Sequence, residues 1–195
     1  MIILSDTTII SVVMGVYNPN KEYLINSINS ILNQTFEDIE FIICDDGSNK
    51  NEDIFDELKN LDNRIIIIKN EKNMGLAYTL NNCINHSSGK YIARQDADDV
   101  SKKDRLEKQF NFLENNMSYS FVGSNISLFD ENGEYGTFKF PNCPTNRDFL
   151  FTSPFNHGSI MIRKQVLEQN NLYRVSKETK RCEDYDLFIR LYLGL

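Results

Sequence analysis

Short apolar runs alternate with amphipathic stretches over the first 95 residues of the chain. The run at 9–16 is almost entirely apolar and rich in β-branched residues, which is typical of a strand buried on both faces of a parallel sheet. Comparable runs predict strands at 39–44, 64–69 and 90–95. Helical spacing of apolar residues predicts helices from about Lys21 (through Leu24, Ile28 and Ile31), over 51–60 and from Leu76. Strands that alternate with helices in this way predict a doubly wound α/β fold.

The pattern changes after residue 99. It predicts a helix at 102–116, strands at 120–129 and 134–140 joined by a hairpin turn, a short helix at 146–151, a strand at 157–162, and helices at 163–170 and from Cys182. We therefore expect a mostly parallel central sheet flanked by helices, with a small antiparallel element in the C-terminal part. No linker or repeat interrupts the chain, so we expect one domain over 1–195. The chain ends within an apolar helix, and we expect the full protein to continue.

Polar residues follow each strand of the first half. In doubly wound sheets, ligands bind beyond the carboxyl ends of the strands. The residues at these positions are Tyr17 and Asn18, Asp45 and Asp46, Asn70 to Asn73, and Asp96 to Asp99. The sequence therefore predicts a polar cluster along one edge of the sheet.

Three carboxylates lie within four residues in the stretch Asp96-Ala97-Asp98-Asp99. At a strand end, Asp96 and Asp98 would point to the same side, where a hard cation such as Mg²⁺ or Mn²⁺ would relieve their repulsion. An acidic turn that caps a helix near Ser101 explains the same residues equally well. An EF-hand loop is a poor fit, because its sixth position, counted from Asp96, would hold Ser101 instead of glycine.

Composition narrows the class of function. The 195 residues are 41% hydrophobic and 25% charged, which fits a globular domain with a sizeable core. A net charge of −7 gives no electrostatic support to nucleic-acid binding. The four cysteines form no CxxC pair, so we expect reduced thiols in a cytoplasmic protein. We also expect no signal peptide and no transmembrane segment in this chain.

Several common enzyme motifs are missing. No Gly-x-Gly-x-x-Gly follows the first strand, no Walker A sequence occurs, and no Gly-x-Ser-x-Gly elbow is present. The loop at 15–19 also lacks the glycine-rich basic sequence expected of sugar nucleotidyltransferases.

Five motifs together resemble family 2 glycosyltransferases of the GT-A fold, in particular bacterial enzymes that build surface or capsular polysaccharide. The motifs are Val13-Met14-Gly15-Val16-Tyr17-Asn18, Asp45-Asp46-Gly47-Ser48, Asn73-Met74-Gly75, Asp96-Ala97-Asp98-Asp99 and Glu183-Asp184. The resemblance covers nearly the whole chain. It implies an inverting, metal-dependent transfer from a UDP-sugar to a saccharide or lipid-linked saccharide acceptor, in the cytoplasm, either free or at the inner face of the membrane. It also implies a nucleotide-binding half at 1–99 and an acceptor-side half at 100–195.

The resemblance implies a role for each matching residue. Asp46 would accept a hydrogen bond from uracil with support from Asp45, Asp98 with Asp96 would hold Mn²⁺ or Mg²⁺, and Asp184 beside Glu183 would be the general base. His157 would lie near the diphosphate and acceptor. The implied nucleotide-binding residues are Val16, Tyr17, Asn18, Asp45, Asp46, Asn73, Gly75, Arg94, Asp96 and Ala97.

Structural explanations stay open for these residues when each is considered alone. Tyr17 would also fit as packing at a strand end, and His157 as a buried structural histidine. Glu183 and Asp184 would also fit as acids favoured by a helix N-terminus. A non-catalytic sugar-nucleotide-binding module and a nucleotidyltransferase of related topology are the alternative functions.

Overall fold

A six-stranded mixed sheet forms the centre of the molecule. The computed structural model describes residues 8–194. The strands of the central sheet lie in the order β3-β2-β1-β4-β8-β5. The strands are β1 (Ile10–Val16), β2 (Ile39–Asp45), β3 (Ile65–Lys69), β4 (Tyr91–Arg94), β5 (Phe121–Val122), β6 (Ile126–Asp130), β7 (Gly133–Phe138) and β8 (Met161–Arg163). The helices are α1 (Lys21–Leu32), α2 (Asp53–Lys59), α3 (Leu76–Asn85), α4 (Arg105–Asn115), α5 (Lys164–Gln169) and α6 (Glu183–Leu193).

The chain reverses its direction of winding beside β1. Strands β2 and β3 add in parallel on one side of β1, and β4 then pairs in parallel with its other side. The order therefore switches between β1 and β4, which is where doubly wound sheets bind ligands. Strand β8 is antiparallel to both β4 and β5. Because β4 pairs with β8, one continuous sheet joins the two halves of the chain.

Two apolar clusters bury the two faces of this sheet. Val12 and Met14 of β1 belong to one cluster, with residues of α1, α2 and α4. Val13 belongs to the other, with residues of α3, α5 and α6. A strand packed on both faces needs an apolar residue at nearly every position, which explains the continuous run at 9–16.

The first helix shows why the periodicity predicted the elements well. Leu24, Ile28 and Ile31 are fully buried, as their spacing requires. The helix begins after Asn20, whose side-chain oxygen accepts hydrogen bonds from the backbone N–H groups of Glu22 and Tyr23. The predicted mostly parallel sheet with flanking helices and a separate antiparallel pair, β6 and β7, is confirmed.

One predicted strand is wrong as a single element. The stretch 120–129 divides into β5, which pairs with β8, and β6, which pairs with β7 in a second sheet. Between them, the backbone N–H of Ser124 donates to Ser159 Oγ at 3.2 Å. This contact diverts the chain out of the central sheet, which apolar content alone did not reveal.

Two further predictions near the site are also wrong. Residues 146–151 form turns instead of a helix: Asp148 Oδ2 accepts from the backbone N–H of Thr145 as at a helix start, but only i to i+3 backbone bonds follow. The predicted strand at 157–162 begins as a 3₁₀ turn, His157–Ser159; the backbone is extended from Ile160, and the strand itself begins at Met161.

The cysteines and the helices of residues 8–194 bear on the expectations about disulfides and membrane spans. All four cysteines are free thiols, two of them buried. Within residues 8–194, no helix has the length and apolar character needed to cross a membrane.

Candidate functional site

Four loops meet at the carboxyl ends of the parallel strands. Val16 of β1 pairs with Asp45 of β2, and Asp45 pairs with Lys69 of β3, so these strands end at one level. Asp46 donates its backbone N–H to Val16 O, and Asn70 donates its own to Asp45 O. The predicted polar edge therefore exists, and these backbone contacts fix its loops.

The loop after β1 leaves an aromatic ring free. Tyr17 is 49% exposed, so its ring does not belong to the core. Asn18 has a φ of +47° and accepts hydrogen bonds at Oδ1 from the backbone N–H groups of Asn49 and Lys50. Asn18 thus ties the loop after β1 to the loop after β2, while Val16 is buried beneath them.

The two adjacent aspartates at the end of β2 have different surroundings. Asp46 is buried, and its carboxylate accepts from Asn70 Nδ2 at 2.8 Å, from the backbone N–H of Met74 at 2.8 Å and from that of Gly75 at 2.9 Å. Asp46 therefore holds the loop that contains Asn73 and begins α3, where Gly75 adopts a φ of +88°.

Asp45 keeps one carboxylate oxygen without a hydrogen bond. Its Oδ1 accepts from the backbone N–H of Ser48 at 2.8 Å. Its buried Oδ2 has no hydrogen-bond donor within residues 8–194, although Lys69 Nζ lies 3.2 Å away as an ion-pair partner. Of the pair, Asp45 is the one with hydrogen-bonding capacity to spare.

Hydrogen bonds from Gln95 and Ser27 fix the backbone of the acidic turn after β4. Strand β4 ends at Arg94, so strand alternation does not extend to Asp96 and Asp98, and that part of the prediction is wrong. Gln95 donates from Nε2 to Ser27 Oγ and to Asp99 O, and Ser27 Oγ donates to Asp96 O at 2.7 Å. Ala97 packs against the apolar cluster beneath.

A buried arginine neutralises part of this turn. Arg94 is only 2% exposed and donates from Nη2 to Asp96 Oδ1 at 2.5 Å. Its Nη1 also donates to Gln95 O. Arg94 is thus already ion-paired with Asp96. A diphosphate that binds here would therefore meet this ion pair and not a free guanidinium.

The three carboxylates of the turn remain crowded. Desolvation, followed by the charges of Asp96 and Asp98, raises the pKa of Asp99. Asp98 is exposed to solvent. A Cβ built on Gly158 would collide with Asp96 Oδ2 and lie 2.9 Å from Asp99 Oδ2, so both carboxylates converge on this glycine. Asp99 was not predicted as a metal ligand from the sequence, and Gly158 was not predicted as a site residue.

A divalent cation fits this donor set only with help from a ligand. In the part of the chain that the structure describes, no group of three or more His, Cys, Asp or Glu residues is arranged to hold a metal ion. Mg²⁺ commonly takes one or two carboxylates together with substrate phosphates, and the crowded oxygens of Asp96, Asp98 and Asp99 suit that mode.

His157 is half-buried beside the acidic turn. Its Nε2 and the Tyr173 hydroxyl lie 2.8 Å apart in a hydrogen bond. Desolvation and then the charge of Arg94 lower the pKa of His157 to about 3, so the ring is neutral at physiological pH. Tyr173 was not predicted from the sequence; it lies in a loop between α5 and α6 that lacks hydrophobic periodicity.

Helix α6 brings a carboxylate to the same place. Phe188 lies edge-on to His157 with ring centroids 6.3 Å apart, and Asp184 lies one turn earlier on the same helix face. Desolvation is the main cause that raises the pKa of Asp184, and the charges of Glu183 and Asp96 add to it. Asp184 is therefore close enough to the acidic turn to feel its charge.

The neighbouring acids of α6 are in different situations. Asp186 accepts from Arg174 Nη1 and Arg190 Nε, both at 2.8 Å, and so stabilises the helix and the loop before it. Asp184 and Glu183 have no ion-pair partner within residues 8–194. The site thus combines loops from four parallel strands with His157 and one face of α6.

The family model of glycosyl transferase family 2 matches residues 11–171. That range contains all four loops and His157. The chain belongs to this family. Asp184 and Glu183 lie beyond the matched range of the family 2 model.

Named relatives extend the comparison. EpsE of Bacillus subtilis (strain 168), which carries a glycosyltransferase name, is 40% identical over 185 residues, covering 94% of this chain and 66% of EpsE. The O-antigen biosynthesis glycosyltransferase WbnJ of Escherichia coli is 38% identical over 187 residues, covering 93% and 71%. WfgD of Escherichia coli, named a UDP-Glc:α-D-GlcNAc-diphosphoundecaprenol β-1,3-glucosyltransferase, is 30% identical over 188 residues, covering 95% and 70%. The chain thus spans just under two thirds of EpsE.

Solved structures confirm the predicted GT-A fold. S. aureus TarS 1–349 in complex with UDP superposes with a TM-score of 0.66 at 20% identity, covering 95% of this chain and 55% of TarS. The mannosyltransferase PcManGT from Pyrobaculum calidifontis, in complex with GDP-Man and Mn²⁺, gives 0.66 at 13% identity, covering 86% and 48%.

Proposed function

We propose that this family 2 chain transfers a sugar from a UDP-sugar to an acceptor hydroxyl, with inversion and with a divalent cation, in the synthesis of cell-surface polysaccharide. The main observation is geometric: Asp184 lies one turn before Phe188 on α6, Phe188 meets the ring of His157, and the next residue, Gly158, lies against Asp96 of the acidic turn. The names of WbnJ and WfgD, and UDP in the TarS structure, support the pathway and the donor class. Because the chain spans only part of EpsE, the substrates of the whole protein belong to this proposal.

The donor nucleotide would lie over the ends of β1 and β2. The exposed ring of Tyr17 offers a face for the base. Asp45 Oδ2 has no hydrogen bond within residues 8–194 and would accept from the uracil N–H once its ion pair with Lys69 opens and uncovers it, whereas the oxygens of Asp46 hold the loop at 70–75. The expected roles of the two aspartates are therefore exchanged in this proposal.

Asp98 and Asp96, joined by Asp99, would hold Mn²⁺ or Mg²⁺ together with the diphosphate. When bound, the cation neutralises the charge that develops on the departing UDP. Mn²⁺ in the PcManGT structure supports this choice of metal. Arg94 keeps Asp96 in place, and neutral His157 adds no charge beside the diphosphate.

Asp184 would accept the proton of the attacking hydroxyl. As the acceptor oxygen bonds to the anomeric carbon, the bond to UDP breaks on the opposite face, and the configuration inverts. A carboxylate whose pKa is raised is a stronger base than an ordinary one. Glu183, its neighbour, points about 100° away around the helix and would serve less directly.

The acceptor would be a saccharide or a lipid-linked saccharide, reached in the cytoplasm or at the inner face of the membrane. The diphosphoundecaprenol in the name of WfgD supports the lipid-linked form.

A screen of UDP-, GDP- and dTDP-sugars with Mn²⁺ tests the proposal. We expect UDP-sugars to raise the melting temperature and to be hydrolysed slowly to UDP, because water can replace the acceptor. UDP binding without turnover on any saccharide acceptor would favour the non-catalytic binding module. Release of pyrophosphate instead of UDP would establish a nucleotidyltransferase.

A further inference from the structure

Two adjacent hydrophobic residues project into solvent from a turn beside α6. Leu150 is 68% exposed and Phe151 is 88% exposed, the largest exposed fraction among the large hydrophobic residues of 8–194. Single exposed hydrophobic residues are normal on a protein surface, but two neighbours at the end of a turn form an apolar projection. Neither residue belongs to the two apolar clusters of the core. We call this pair the apolar tip.

The residue before the apolar tip anchors it to α6. Phe149 is buried, and its ring centroid lies 4.7 Å from that of Tyr192. The carbonyl oxygen of Phe149 accepts a hydrogen bond from the hydroxyl of Tyr185, which lies two turns earlier on the same helix. The backbone N–H of Leu150 donates to Arg147 O and closes the turn. The apolar tip is therefore held in place while its side chains face solvent.

A basic segment, residues 174–181, leads into α6. Its basic residues are Arg174, Lys177, Lys180 and Arg181, and its one acid is Glu178. Arg174 forms an ion pair with Asp186. The other three cations are exposed and have no ion-pair partner among residues 8–194. A chain of net charge −7 thus carries a local excess of positive charge.

The basic segment and the apolar tip lie close together. Arg181 precedes Tyr185 by four residues, so their Cα atoms are at most about 14 Å apart. The hydroxyl of Tyr185 in turn bonds the carbonyl of Phe149, the residue next to the tip. Val175, which is 56% exposed, adds an apolar side chain within the basic segment. Exposed apolar groups and free cations therefore both adjoin the first turns of α6.

This combination restricts the class of partner. Each Lys or Arg near an anionic bilayer strengthens binding roughly five-fold. Exposed aliphatic and aromatic side chains beside such cations enter the boundary between headgroups and acyl chains. A soluble anion would use the cations but leave the apolar tip in water. An anionic lipid surface matches both features.

We propose that the apolar tip and the basic segment form a surface that docks this chain on an anionic lipid bilayer. Leu150 and Phe151 enter the acyl boundary, while the free cations of the basic segment meet the phosphate headgroups. The purpose of docking rests on the proposed function, because a lipid-linked acceptor lies in the bilayer. Asp184, the proposed base, immediately precedes Tyr185, so docking brings the sugar of such an acceptor towards it.

Sedimentation with vesicles tests the cations. The probes are vesicles of equal parts phosphatidylglycerol and phosphatidylcholine, and vesicles of phosphatidylcholine alone, in about 0.1 M salt. We expect the protein to bind the anionic vesicles at least ten-fold more tightly. Lys177→Gln combined with Lys180→Gln should weaken this binding at least ten-fold, because two charges are lost.

Lys59→Gln combined with Lys108→Gln is the matched control for charge. Both lysines are exposed, and they lie on α2 and α4. These helices pack on the opposite face of the central sheet from α6. The control should therefore bind the anionic vesicles as tightly as wild type.

Fluorescence tests the apolar tip directly. The chain contains no tryptophan, so Phe151→Trp introduces a single reporter. The emission of this variant should move to shorter wavelength when anionic vesicles are added, because the side chain leaves water. Leu61→Trp is the matched control: Leu61 is 49% exposed just after α2, and the emission of that variant should stay unchanged.

The outcomes separate the docking surface from the proposed function. The surface is wrong if wild type does not bind anionic vesicles, if Lys177→Gln with Lys180→Gln binds them as wild type does, or if the emission of Phe151→Trp does not move. Each of these results would stand even if the protein transferred sugar from UDP-sugars. If wild type is a dimer in gel filtration and Phe151→Ser is a monomer, the tip belongs to a contact between two copies and the docking surface is also wrong. If vesicles bind as expected but no UDP-sugar is turned over, the docking surface stands and the transferase proposal falls.

Discussion

Individual carboxylates in this site differ sharply in their surroundings, and Asp184 has those expected of a base. We predict that Asp184→Asn lowers transfer at least ~10²-fold, the low end for loss of a general base, while Mn²⁺–UDP affinity changes only a few-fold. Glu183→Gln should cost less. Rate assays on a verified acceptor, beside calorimetry of UDP, measure both effects, and full activity of Asp184→Asn would remove it from the mechanism.

The raised pKa of Asp184 also gives a pH dependence. The base must be ionised, so activity is lost as pH falls through its pKa, and a raised pKa moves that loss to higher pH than an ordinary Asp value of about 3.9. A pH profile of kcat/KM should show this acidic limb in wild type. The residual activity of Asp184→Asn should lack it.

The adjacent pair Asp45 and Asp46 should respond to mutation in opposite ways. Asp46→Ala leaves three N–H donors of the 70–75 loop unpaired, so we expect the free energy of unfolding to fall by roughly 2–4 kcal/mol. Asp45→Asn should instead keep most of the stability and weaken UDP binding. Urea titrations, with exposed Asp56→Ala as the control, and UDP calorimetry separate the two; a stable Asp46→Ala would contradict the loop-holding role.

The backbone of Gly158 packs directly against the carboxylates of Asp96 and Asp99, with no space for a side chain. A methyl group there would push apart Asp96 and Asp99, so Gly158→Ala should weaken Mn²⁺-dependent UDP binding at least ten-fold. Gly136→Ala is the matched control, because its Cβ would meet only Leu128 Cδ1 at 3.7 Å. Calorimetry of UDP with Mn²⁺ measures the affinity of both variants. Equal affinities of Gly158→Ala and Gly136→Ala would show that UDP binding does not depend on the close packing of Asp96 and Asp99 against Gly158.

At the scale of elements, one asparagine joins the loop between α5 and α6 to helix α3. Asn81 of α3 accepts from the backbone N–H of Tyr173 at Oδ1 and donates to Tyr173 O from Nδ2. Tyr173 in turn bonds His157. Asn81→Ala should lower the free energy of unfolding by about 1–3 kcal/mol, against almost no change in exposed Asn85→Ala. Equal urea midpoints for the two variants would show that the link is dispensable.

Sequence patterns predicted the parallel half far better than the rest. Strands such as β1 are buried on both faces, and amphipathic helices such as α1 carry clear spacing, so their periodicity reflects local structure. The division of 120–129 into two strands and the turns at 146–151 involve hydrogen bonds to the side chains of Ser159 and Asp148. Such contacts leave no periodic pattern in the sequence. The acidic turn was found because motif and strand end coincide. Tyr173 was missed, because tertiary packing alone brings it to the site.

At the scale of the whole molecule, the negative net charge supports the prediction that nucleotide binding depends on a metal ion. A protein of net charge −7 repels an anionic nucleotide unless cations intervene. We predict that UDP binds more tightly with Mn²⁺ or Mg²⁺ than with EDTA, and that Asp98→Asn removes the difference. Asp53→Asn is the control: Asp53 is exposed, and the substitution changes the net charge by the same amount as Asp98→Asn. This variant should still bind UDP more tightly with metal than with EDTA. Equal affinity of wild type with metal and with EDTA would refute metal dependence.

The pairing of β4 with β8 has a consequence for how the site comes into being. Residues 91–99 leave the ribosome about 60 residues before Gly158 does, which is on the order of 3–12 s at about 5–20 residues per second. During that interval the acidic turn has neither Gly158 nor His157 against it. The parallel strands can pair first, but the acidic turn meets Gly158 only when β8 adds to the sheet. Under the proposed function, donor binding would therefore be postponed until the C-terminal part of the chain has been synthesised.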